Sequence, residues 1–157
     1  MTAAVVDNTV LSNFAHIHMP ELLREAFDRL VTSPAAMREL AEGVRLGRVP
    51  SADWTWLTGL ELTAEEQSQV DGYRQRLGQG EAECIALAQS HAWIVLTDDR
   101  DARQAAREAG LMVSGTLGAL MNLAQQEIVT ITEGDTMLAE MRRHGYQCPV
   151  ESLSELN

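Results

Sequence analysis

Trp93-Ile94-Val95-Leu96-Thr97-Asp98-Asp99 is a short, unbroken apolar run that ends in two carboxylates. A run without polar alternation is the profile of a strand buried on both faces, as in a parallel sheet covered by helices. Ala3-Ala4-Val5-Val6-Asp7 has the same profile and the same acidic end. Helical patterns lie between and after these runs, over residues 9–17, 20–30, 34–46, 64–77, 80–91, 101–109 and 116–126. Further short strands are predicted at 30–32, 54–57, 111–113 and 128–131, the last followed by a helix opened by Asp135 and closed by Arg142, Arg143 and Gly145. Strands alternating with helices predict an α/β fold with a parallel sheet, and ligands of such sheets bind at the carboxyl ends of the strands.

The remaining features set bounds. The chain has 157 residues, one domain of ordinary size, with 45% hydrophobic and 22% charged content. A chain near that length buries roughly 70% of its unfolded surface and needs no staples. Its net charge of −11 disfavours non-specific binding to nucleic acid or to an anionic membrane, so any nucleic acid must be met locally. All 12 basic residues are Arg, the planar, bidentate cation suited to phosphate or carboxylate. Cys84 and Cys148 are isolated, which excludes a disulfide framework and fits a reducing cytoplasm. The beginning of the chain lacks the pattern of a secretory signal, and no apolar stretch approaches the roughly 20 residues of a membrane span. The polar tail 150–156 carries three apolar side chains that could dock on the body or on a partner.

Parallel strands would bring Asp7 and the Asp98-Asp99 pair to one sheet edge. Each Asp could simply cap the helix that follows it. One cap needs one carboxylate, however, whereas Asp98, Asp99 and Asp101 crowd three into four residues, where repulsion raises a pKa unless a cation sits among them. The excess favours a metal. Glu81 continues the stripe of Cys84, Ile85 and Ala88, on the buried side of its helix, where a carboxylate is costly unless paired; its neighbour Glu83 need not be buried. Glu39 sits beside the apolar line of Met37, Leu40 and Val44, and with Glu42 on the same flank its own pattern favours a solvated face. If Asp7, Glu39, Glu81 and Asp99 converge, the site is rich in oxygen and poor in nitrogen and sulfur. Mg or Mn follows before Zn, and with it phosphodiester hydrolysis by a water made acidic on the metal.

Arg100, Arg103 and Arg107 lie three and four apart on the helix that leaves this corner, either a solvated face or a phosphate rail. Ser114-Gly115-Thr116 precedes a helix whose free N–H groups could hold a phosphate, although capping alone explains Thr116 and close packing explains Gly118. His16 and His18 point to different faces and are incidental. Trp54 and Trp56, two apart in a predicted strand, read as core or partner surface.

At this point the residues resemble a PIN domain, the metal-dependent nuclease fold found in bacterial and archaeal toxins. Asp7-Asn8-Thr9 is similar to the family's opening Asp and hydroxyl residue, and Met37-Arg38-Glu39-Leu40 to its early Glu-Leu. Gly80 to Ala88, Leu96-Thr97-Asp98-Asp99 with Ala102-Arg103, and Gly115-Thr116-Leu117-Gly118 resemble an uncharacterised prokaryotic PIN subgroup in particular. The resemblance implies a three-layer α/β/α sandwich with a central, mainly parallel sheet, spanning 1–157 as one domain with a C-terminal extension from about residue 127. It implies Asp7, Glu39, Glu81 and Asp99 as the metal-binding quartet, with Asp98 and Asp101 as accessory positions. It further implies Mg or Mn as cofactor, single-stranded RNA as substrate, a homodimer, and an antitoxin as partner. The toxins usually carry Asp where this chain has Glu81, whereas the subgroup commonly has Glu.

Two functions follow. One is a Mg-dependent endoribonuclease, the toxin of a toxin–antitoxin pair; retention of the whole acidic set favours it, since a silent site has no reason to hold clustered carboxylates against their repulsion. The other is a catalytically silent PIN fold that binds protein or RNA, favoured by the acidic net charge.

Overall fold

Ala3–Val6 forms the first strand, β1, because small and β-branched apolar side chains tolerate burial on both faces of a sheet; Val5 and Val6 are fully buried. The computed structural model describes residues 2–156. In it β1 is the middle strand of five, with β2 (Arg29–Thr32), β3 (Thr58–Gly59), β4 (Ile94–Leu96) and β5 (Val113–Ser114). The order is β3-β2-β1-β4-β5, and every pairing is parallel.

Side chains alternate across β1 and divide the core in two. Ala4 and Val6 join Leu96 and the inward residues of α1 (Asn8–His16), α2 (Pro20–Glu25), α7 (Thr116–Gln125) and α8 (Ile131–Arg143), with Phe14, Leu23, Leu120, Leu123, Leu138 and Met141 at the centre. Val5 joins Val31 and Val95 on the other face, under α5 (Gln79–His91) and α6 (Arg100–Glu108). The result is a three-layer α/β/α sandwich. α3 (Pro34–Arg45) reaches both sides, with Ala36 in the second cluster and Leu40 in the first. α4 (Ala64–Tyr73) lies outside α5, with Val70 against Ala82 and Ala86. Residues from Glu127 onward send Val129, Met137, Leu138, Met141 and Leu153 into the first cluster.

Several expectations change. Residues 128–131 form no strand: Thr130 caps α8 in a reciprocal capping box with Glu133, so the helix opens earlier than Asp135. Asp135 instead accepts bonds from the Leu153 amide and the Ser152 hydroxyl and docks the tail on α8. Residues 54–57 are a turn fixed by the Asp53 carboxylate, which accepts from the Thr55 amide and hydroxyl; the two Trp rings are tilted neighbours at 5.7 Å. The paired segment there is Thr58–Gly59, and at the other edge it is Val113–Ser114, which shares only Val113 with the predicted 111–113. Helix α2 ends at Glu25, because Arg29 and Leu30 pair with β1. Among the described residues no helix is long and apolar enough to cross a membrane.

All strands point the same way, so their carboxyl ends share one edge. Val6 is in register with Thr32 and with Leu96, which sets Asp7, Ser33 and Thr97 abreast.

Candidate active site

Asp7 stands at the end of β1, where its amide extends the ladder by donating to the Leu96 carbonyl at 2.9 Å. It occupies the N-cap position of α1, yet its side chain caps no helical N–H. The capping explanation therefore fails for Asp7. Its Oδ2 accepts from the Thr97 hydroxyl at 3.0 Å and the Thr9 hydroxyl at 3.1 Å, while the buried Oδ1 has no hydrogen-bond partner. Burial pushes the carboxyl up to about 6 and the charge of Glu39 adds to the effect, while the Thr97 hydroxyl, the adjacent Asn8 amide and the Thr9 hydroxyl oppose it. A buried carboxylate oxygen without a partner is expensive to keep and calls for a partner such as a water or a cation.

Three more carboxylates, of Glu39, Glu81 and Asp99, lie near enough to Asp7 for their charges to act within the group. Glu81 lies in the first turn of α5, and burial first, then the charges of Asp7, Asp99 and Glu39, push its carboxyl up to about 7. Glu39 is on the exposed side of α3, but its Oε1 accepts from the Gly80 amide at 3.0 Å. Gly80 permits this approach: a Cβ there would stand 2.7 Å from that oxygen. Asp99 receives its place from Thr97, whose hydroxyl oxygen accepts from the Asp99 amide at 3.2 Å, and its Oδ2 accepts from the Ala102 amide to cap α6. Asp99 thus serves as a cap and as a member of the acidic group.

Asp98 goes elsewhere. Its oxygens accept from the Thr116 amide at 2.9 Å, the Thr116 hydroxyl at 2.5 Å and the Asn13 side-chain amide at 3.0 Å, so it closes the N-terminus of α7 instead of joining Asp7. Burial raises its carboxyl above the usual range. Thr116, expected to offer a free N–H to phosphate, is fully buried and gives that N–H to Asp98. Asp101 is exposed in the first turn of α6. The arginine stripe is also divided: Arg100 and Arg107 are exposed, whereas Arg103 is half-buried and donates through Nη1 to the Thr97 carbonyl at 2.9 Å.

Glu83 reverses the expectation for its helix. It is 3% exposed, and its carboxylate accepts from the Ala35 amide at 2.9 Å and the Gln79 side chain at 2.8 Å, joining α5 to the start of α3. A single covered face would leave Glu83 outside, but α5 packs against the sheet, α4 and the start of α3. Thr9, Thr97 and Gly80 position these carboxylates; they lie within the quoted motifs, but no positioning role was expected of them. Thr97, a hydroxyl closing an apolar strand beside two Asp residues, was the available signal.

Among the described residues, no three His, Cys, Asp or Glu side chains are already gathered to hold a metal. Uncompensated carboxylates repel and stand apart. The donor set nevertheless suits a hard divalent cation, since it is all oxygen, one oxygen is unpartnered, and Mg keeps several waters and needs few protein ligands. A family model described as a PIN domain matches residues 3–156. No curated protein matches the chain.

Proposed function

The chain belongs to the PIN domain family, whose members are generally nucleases, and from that premise we propose that it is a Mg- or Mn-dependent endoribonuclease cutting single-stranded RNA, the toxin of a type II toxin–antitoxin pair. The observation that carries the reading is the buried Asp7 Oδ1, unpartnered at an edge where Glu39, Glu81 and Asp99 add charge to charge. These four residues would hold the ion. When bound, it lowers the pKa of a water and steadies the leaving oxygen.

The chain's own residues do the positioning. Thr9 and Thr97 fix Oδ2 of Asp7, so Oδ1 would be the atom offered to a cation. Gly80 draws Glu39 inward, and the cap on α6 holds Asp99. Arg100 and Arg107, exposed on that same helix, bind phosphates of a flexible strand. A cognate antitoxin and a second copy of the chain are its protein partners on this reading, and the free Cys84 and Cys148 suit a reducing cytoplasm.

The deciding experiment is digestion of an end-labelled single-stranded RNA with Mn and with chelator. Cleavage with Mn, its loss with chelator and its loss in Asp7→Asn are expected. RNA that is bound but never cut would instead identify a catalytically silent binding module.

A further inference from the structure

Side chains alternate at the end of β4, so Thr97 and Asp99 serve the carboxylate group while Asp98 turns the other way. On the far side lies a cleft of about 390 Å³ lined by Asp98, Arg103, Gly115, Leu117, Tyr146 and Pro149. Consecutive Cα atoms are only about 3.8 Å apart. The cleft and the carboxylate group are therefore two sides of one short segment.

The chemistry of the cleft is specific. Arg103 spends one guanidinium N–H on the Thr97 carbonyl, and among the described residues its remaining donors have no hydrogen-bond partner. Asp98 accepts one bond at Oδ1 and two at Oδ2, which leaves acceptor capacity at Oδ1. Gly115 brings both groups to one wall: a Cβ there would stand 2.4 Å from Asp98 Oδ1 and 3.0 Å from Arg103 Nη1. Tyr146 supplies a half-buried ring, and burial, then the charge of Asp98, holds its phenol far above the usual range, so the ring stays neutral.

A phosphate is the wrong ligand for this cleft, because the Asp98 carboxylate offsets the Arg103 charge and would repel it. A flat, uncharged molecule with adjacent acceptors for a guanidinium and a donor for a carboxylate, able to lie against an aromatic ring, is the right one. Guanine presents O6 and N7 to an Arg fork and carries N–H donors on its pairing edge; aromatic side chains bind bases through their π-faces. We propose that the Asp98–Arg103–Tyr146 cleft is a nucleobase pocket selective for guanine, which seats a base of the RNA strand next to the bond that is cut. The placement beside the cut bond rests on the nuclease reading; the binding of guanine does not.

The test separates the two. Ligand-observed saturation-transfer NMR of the full chain, with chelator present, is run against guanosine, adenosine, cytidine and uridine at equal concentration. Guanosine is expected to bind, with the others weaker by about tenfold or more, the loss of one bidentate contact. Arg103→Gln and Tyr146→Leu should abolish the signal and Tyr146→Phe should retain it, each variant checked for its fold by circular dichroism; if Tyr146→Leu unfolds, Arg103→Gln decides. Inorganic phosphate should not displace guanosine. Absence of binding, equal binding of all four nucleosides, displacement by phosphate, or an unaltered signal in a folded Arg103→Gln would each overturn the pocket. Asp7→Asn should bind guanosine as wild type does. Guanosine binding without any RNA cleavage would sink the nuclease and keep the pocket; Mn-dependent cleavage without guanosine binding would do the reverse.

Discussion

The Thr97 hydroxyl donates to Asp7 Oδ2 at 3.0 Å, joining residues 90 apart across the β1–β4 pair. The same hydroxyl oxygen accepts from the Asp99 amide at 3.2 Å. One side chain thus sets the orientation of two acidic groups from different strands, and leaves Asp7 Oδ1 as the unpartnered atom.

Replacing Asp7 tests that atom. Asp7→Asn keeps the shape and removes a buried charge, so the metal-free protein should melt at the same or a higher temperature. The wild type should gain about 2.7 kcal/mol from Mn at a hundredfold excess over Kd. Asp7→Asn should lose most of this gain together with RNA cleavage. Equal Mn-induced shifts in both proteins, read by thermal denaturation, would remove Asp7 from the site.

The pH dependence of the metal-free protein follows from the raised carboxyls. Below about 4, folded and unfolded chains both hold the proton, and stability is greatest with respect to these groups. As pH rises, the unfolded chain releases protons that Asp7 keeps to about 6 and Glu81 to about 7. Stability should therefore fall between about 4 and 7, by an upper bound on the order of 3 kcal/mol for Asp7 alone. Urea titrations in chelator across that window measure the slope, and Asp7→Asn should flatten it. A slope of the opposite sign in wild type would mean that these carboxyls are not held protonated by burial.

Gly80→Ala places a Cβ 2.7 Å from Glu39 Oε1. Alanine otherwise favours the helix by about 1 kcal/mol. The variant should remain folded while Glu39 is pushed off the Gly80 amide, and Mn affinity and cleavage should drop together. Calorimetric Mn binding equal to wild type would show that Glu39 is dispensable.

Arg100 and Arg107 are exposed, whereas Arg103 is turned to the Thr97 carbonyl. The double variant Arg100→Gln with Arg107→Gln should weaken binding to single-stranded RNA regardless of sequence. The slope of log affinity against log salt should become shallower by about 1.4, at about 0.7 per lost phosphate contact. Single strands should be cut in preference to duplex, since a chain of net charge −11 repels long duplexes. An unchanged salt slope would place the strand elsewhere.

Local pattern was enough for the two apolar runs, their acidic ends and the parallel arrangement, because burial on both faces is written into an unbroken Val/Leu/Ile run whatever surrounds it. The family motifs singled out Asp7, Glu39, Glu81 and Asp99, and the charges of the other three do reach Glu81. Which neighbour in each pair turned inward was not legible. Glu83 is buried because the start of α3 packs on α5 and its Ala35 amide takes the carboxylate, and Asp98 leaves Asp99 to the site because the first amide of α7 takes its carboxylate. Arg103 departs from its stripe for the same kind of reason, since the Thr97 carbonyl lies within its reach. Helical and strand periods are properties of neighbouring residues, and the sequence determines them alone. The direction of a charged side chain depends on the nearest donor or acceptor, and here that partner arrives from an element distant in the chain, so only the assembled layers decide it.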